Sequence, residues 1–76
     1  MEINWTVEYS LNIGDGDLEN MAEVANDYIR AGYERKEAIH EAVNDYLMGL
    51  DDCIYYSITE EAGQQIEDTL NEHLTK

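Results

Sequence analysis

The stretch Glu2-Ile3-Asn4-Trp5-Thr6-Val7-Glu8-Tyr9-Ser10-Leu11-Asn12-Ile13 decides the fold class. Every odd position carries an apolar or aromatic side chain and every even position a polar one. A strict period of two sends alternate side chains to opposite faces, so the stretch reads as one strand with a single apolar face. Gly14-Asp15-Gly16-Asp17 then interrupts the pattern, with Asp17 placed to cap a helix.

Downstream the period changes to that of a helix. Leu18, Met21, Ala25, Tyr28 and Ile29 share one face, and Gly32 is a natural terminator. A second helix is expected from about Arg35, burying Ala38, Ile39, Ala42, Val43, Tyr46 and Leu47 and ending near Gly49. Residues Cys53 to Ile58 are rich in strand formers and read as a second strand beside the first. Thr59 is an N-cap candidate followed by Glu60 and Glu61, and Ala62, Ile66, Leu70 and Leu74 form an i, i+4 ridge on a last helix. The expected architecture is an α+β fold of order β-α-α-β-α, a single compact domain spanning 1–76 with helices on one face of a two-stranded sheet. Two strands alone are marginal, and the long first strand exposes an edge, so a homodimer assembled through that edge is one expectation.

Composition bounds the function. Eighteen Asp and Glu stand against four Lys and Arg, for a formal charge of −14, while the hydrophobic share of 43% is that of a folded domain. Such a surface repels polyanions, so neither nucleic acid nor an anionic membrane is expected as a direct partner. No run approaches the ~20 apolar residues of a membrane span, and no signal-peptide pattern opens the chain. One cysteine, Cys53, excludes an internal disulfide and reads as a small buried hydrophobe.

Catalytic and metal signatures are missing from the pattern. Asp15-Gly16-Asp17-Leu18-Glu19 opens like a calcium loop, but an EF-hand counted from Asp15 puts Asn20 where Gly is required and Asn26 where Glu is required. His40 and His73 have no ligand-spaced companions, and Ser10 and Ser57 lie in no nucleophile elbow. The expectation is a protein that binds and does not catalyse, with no cofactor and no metal.

The carboxylates, in contrast, are ordered. Glu19, Glu23 and Asp27 fall at i, i+4 and i+8 on the first helix, and Glu37, Glu41 and Asp45 repeat that spacing on the second. The repeat is part of a longer echo: Glu23-Val24-Ala25-Asn26-Asp27-Tyr28-Ile29 returns as Glu41-Ala42-Val43-Asn44-Asp45-Tyr46-Leu47. Like charges at i, i+4 destabilise a helix by a few tenths of a kcal/mol per pair, and few cations offset them. Compactness scaling gives a globule roughly 30 Å across. Fourteen net charges over that span come to about one per 2 Å, against ~1.7 Å for duplex DNA. The bland reading is a set of solvated helix faces; the scarcity of cations favours a surface that imitates phosphates. Asp51, Asp52, Glu61 and Asp68 would extend it, with Tyr33, in a turn, as an aromatic contact.

Three resemblances bear on these residues. The acidity is similar to that of acyl carrier proteins, but their Asp-Ser-Leu triplet is absent. Tyr55-Tyr56-Ser57-Ile58-Thr59-Glu60-Glu61-Ala62 resembles the wing-strand-to-helix segment of winged-helix regulators, while a charge of −14 speaks against DNA binding. By size, acidity and carboxylates arrayed on helices, the chain resembles the small acidic inhibitors of phages and mobile elements, including DNA-mimicking anti-restriction and anti-CRISPR proteins. That resemblance implies a viral inhibitor in the cytoplasm of a bacterial host, its partner a basic nucleic-acid-binding protein or complex.

Overall fold

The computed structural model describes residues 2–5 and 9–75. Two strands, β1 (Glu2–Asn4) and β2 (Ser10–Asn12), precede four helices: α1 (Asp15–Arg30), α2 (Arg35–Met48), α3 (Asp52–Ser57) and α4 (Glu60–Thr75). The α+β class, the two-stranded sheet and the packing of helices against it match expectation. The element order does not: it is β-β-α-α-α-α.

The expected single strand of residues 2–13 is an antiparallel hairpin, pairing Glu2 with Asn12, Ile3 with Leu11 and Asn4 with Ser10. Thr6, Val7 and Glu8, counted into that strand, lie outside the described residues. In this register odd positions oppose odd positions. The apolar alternation therefore stays on one face when the strand doubles back, and Ile3 and Ile13 both enter the core. Trp5 stacks on Tyr9, their rings 6.3 Å apart and nearly parallel. The long edge that motivated an edge-to-edge homodimer is thereby reduced to strands of three residues each.

The second correction falls on Cys53 to Ile58, where the expected strand is a short helix. Asp51 caps it, its side chain accepting from the Cys53 amide at 3.1 Å, and Ile54 and Tyr55 close the first turn on the Asp51 carbonyl. Among the described residues the sheet consists of β1 and β2 alone, and this segment satisfies its backbone within its own helical turns instead. As a helix it turns Tyr55 onto Asn44 of α2, the hydroxyl donating at 3.3 Å, and presents Ser57 to the Trp5 indole. Tyr56 is left 81% exposed, and Cys53, expected in the core, is also exposed.

The long helices follow most of their sequence signals, with a correction at the start of α1: the helix begins at Asp15, so Asp17, expected as its cap, lies in its first turn. Gly14 is the N-cap of α1, and Asp17 sits three residues inside it, its carboxylate accepting from the Gly14 amide at 3.1 Å. Gly32 ends α1 with φ +106°; the Gly32 amide donates to the Ile29 carbonyl and the Tyr33 amide to the Tyr28 carbonyl, each at 3.0 Å. This is a Schellman closure, sealed by contact between the Tyr28 and Tyr33 rings, 4.9 Å apart. Thr59 caps α4 through its hydroxyl, which accepts from the Ala62 amide.

Packing is centred on α1, α2 and α4. Tyr46, late in α2, lies beside Asp17 at the start of α1, so these two helices run antiparallel. Arg35 at the start of α2 donates to Asn71 and Thr75 at the end of α4, making that pair antiparallel too. Met21 and Ala25 of α1, Ala42 and Val43 of α2, and Ile66 and Leu70 of α4 meet Ile3 and Ile13 of the hairpin in one core. Ile29, expected on the buried face, is 37% exposed. The molecule is elongated, 38 × 22 × 19 Å with a radius of gyration of 12.0 Å.

Candidate binding surface

Helix geometry keeps the carboxylate stripes outside. On α1, Glu19, Glu23 and Asp27 are all exposed, as are Glu37 and Asp45 on α2, with Glu41 half-buried between them. The two stripes do not merge into one sheet of charge. Glu19 and Glu23 open toward His73 of α4 across a shallow depression, and Asp27 binds Arg30 at 2.9 Å. Asp45 instead receives the Tyr28 hydroxyl at 2.8 Å, which holds the Tyr28 pKa above its ordinary value through that hydrogen bond first and through desolvation second.

The remaining candidate residues disperse around the molecule. Asp51 is committed to capping α3, and Asp52 stands exposed in its first turn. Glu61 lies near Trp5 on the hairpin side, and Asp68 accepts from Gln64 at 2.9 Å beside the α2–α4 seam.

A groove of about 630 Å³ runs along that seam and gathers Tyr33, Glu37 and Glu41. Its walls are α2 and the first two turns of α4, and Val43, Leu47 and Ile58 give it an apolar base. Glu60 and Glu67 complete the rim, with Lys36 and His40 on the α2 side. His40 reaches Glu67 at 3.3 Å across the seam. Tyr33, 43% exposed, stands at one end.

Glu60, Gly63 and Glu67 of this groove escaped the sequence reading, which followed the longest runs of i, i+4 carboxylates. A subtler signal was present in the spacing of Glu60, Gly63 and Glu67, which places them along one flank of α4. Four carboxylates surround this groove against the single ammonium of Lys36.

Among the described residues, no helix is long and apolar enough to cross a membrane, and no cluster of His, Cys, Asp and Glu has the arrangement of a metal site. No protein-family model matches the chain, and no curated protein and no solved structure matches it.

Proposed function

We propose that the protein is an inhibitor that occupies the basic nucleic-acid-binding surface of a host protein or complex, its carboxylates standing in for phosphates. It acts by stoichiometric occlusion in the cytoplasm of a bacterial cell, in the manner of anti-restriction and anti-CRISPR inhibitors, and neither binds nucleic acid itself nor catalyses a reaction. One observation carries the reading: the acidic residues of α1 and α2 stay at the surface with almost no cationic partners, Arg30–Asp27 being the one arginine or lysine ion pair among the described residues. A fold seeking only solubility gains by interspersing the two signs, which this surface does not do.

The length scale supports the same reading. Fourteen net charges along the 38 Å long axis come to about one per 2.7 Å, between the ~1.7 Å of a duplex and the ~3.4 Å of a single strand. Association driven this way is fast and weakens with salt.

The test is capture from bacterial lysate on the immobilised protein, eluted by a salt gradient and challenged with duplex DNA. A nucleic-acid-binding protein that DNA displaces, and that a Glu37→Lys/Glu41→Lys/Asp45→Lys variant fails to retain, is the expected result. A partner indifferent to salt, DNA and charge reversal would sink the proposal.

A further inference from the structure

The groove between α2 and α4 differs from the rest of the acidic surface in having an apolar base, and phosphate mimicry by itself has no use for one. Val43, Leu47 and Ile58 lie beneath a rim formed by Glu37, Glu41, Glu60 and Glu67. From Lys36 to Leu47 the α2 wall extends about 16 Å, or three helical turns. Those dimensions suit a helix laid lengthwise, presenting apolar side chains at i, i+3 or i+4 and i+7.

Gly63 is an independent observation pointing to an occupant. It lies inside α4, where glycine is less favourable than alanine, and its backbone needs no special conformation. The fold does not require its smallness either, since a Cβ built there meets nothing within 4 Å. The residue lines the groove, so the space it leaves open is space in the groove. Gly16 of α1 has equally open surroundings, so what sets Gly63 apart is its place on the groove wall, where the missing side chain leaves room for a ligand to approach the helix closely.

We propose that this groove receives a short cationic amphipathic helix of the target protein, its apolar side chains on Val43, Leu47 and Ile58 and its Lys and Arg residues against Glu37, Glu41, Glu60 and Glu67. Charge complementarity selects this occupant: four carboxylates face the groove against one ammonium, and although His40 reaches Glu67, an acidic or neutral segment would add nothing to balance Glu37, Glu41 and Glu60. The inference rests on the inhibitor reading and names the contact by which the target is held. Gly63 lets the ligand helix come close to α4, and Tyr33 covers one end.

The test uses the full-length protein and two synthetic peptides of identical composition. One places its leucines at i, i+3, i+4 and i+7 with arginines elsewhere; the other scatters the same leucines around the helix. The amphipathic peptide should bind at least about tenfold more tightly, a difference read by anisotropy of the labelled peptide. Amide shifts should concentrate at Tyr33, His40, Gly63 and Gln64. Gly63→Ala should raise the melting temperature and yet weaken the amphipathic peptide about tenfold, leaving the scattered one unchanged.

Equal affinity for the two peptides, or shifts centred on Glu19, Glu23 and Asp27, overturns the groove contact, as does a Gly63→Ala variant that binds as tightly as the wild type. Failure of the broader reading is separate. A preference for the amphipathic peptide together with a captured partner that DNA cannot displace keeps the groove contact and removes phosphate mimicry. Equal peptide binding together with a DNA-displaced partner does the reverse.

Discussion

The Tyr28 hydroxyl of α1 donates a 2.8 Å hydrogen bond to the Asp45 carboxylate of α2, while Tyr46 of α2 lies beside Asp17 of α1. The two tyrosines occupy equivalent places in the echoed heptads, and each meets a carboxylate of the other helix. Both tyrosine pKa values are raised, that of Tyr28 mainly by its hydrogen bond to Asp45 and that of Tyr46 mainly by burial, with Asp17 adding to it.

A pH dependence follows from that shift. The protonated phenol is favoured in the folded state, so its contribution is fully present below the ordinary tyrosine value of about 10 and is lost as pH rises through the higher folded values. Alkaline titration followed by tyrosinate absorbance should show Tyr28 and Tyr46 ionising later than an ordinary tyrosine. Tyr28→Phe should remove one of the late ionisations and flatten the fall of stability with pH. Six tyrosines titrating together at the ordinary value would contradict the arrangement.

Trp5 and Ser57 join the hairpin to α3 across 52 positions, the indole Nε1–H donating to the Ser57 Oγ at 3.2 Å. Ser57→Ala leaves the half-buried indole without that acceptor and should cost about 0.5–1.5 kcal/mol in urea unfolding. The protein has a single tryptophan, so its emission reports the same event. A cycle with Trp5→Phe should recover most of the loss as coupling between the two sites; additive losses would mean that the contact does not hold the hairpin.

At Gly32, φ is +106°, a conformation that a side chain at Cβ resists. Gly32→Ala should therefore destabilise by about 1–2 kcal/mol, opposite in sign to the effect of alanine at Gly63. Thermal unfolding measured on the two variants side by side would expose an error in either assignment.

Uncompensated charge makes the fold itself sensitive to salt. Screening shortens from about 30 Å at 0.01 M to about 8 Å at 0.15 M, relieving repulsion among carboxylates that few cations neutralise. The melting temperature should rise over that range, and neutralising Glu19, Glu23, Glu37 and Glu41 to Gln should reduce the rise. A melting temperature independent of salt would mean that the stripes are too far apart to repel.

Much of the fold was legible without coordinates. The limits of α2, the Gly32 stop, the Thr59 cap and the core faces of three long helices each follow from a local rule. Apolar periodicity and caps act within a few residues, and the long helices give them several turns to agree. The candidate surface was legible only in part. Glu37, Glu41 and Tyr33 meet in the groove, but Glu60, Gly63 and Glu67 join them because α4 packs antiparallel to α2, a relationship absent from any local window.

The amino-acid sequence by itself determined the α+β class, the faces of the long helices, the Gly32 stop, the Thr59 cap and an overwhelmingly acidic exterior. Tertiary structure alone decided that residues 2–5 and 9–13 double back on each other, because an odd-to-odd hairpin register preserves the alternation of a continuous strand. It also made a helix of Asp52–Ser57, where six residues are too few for periodicity to outweigh strand propensity and the Asp51 cap, Asn44 and Trp5 tip the balance. Which carboxylates stand together was decided in the same way, since helix periodicity sets the face of each residue while only packing sets which faces become neighbours.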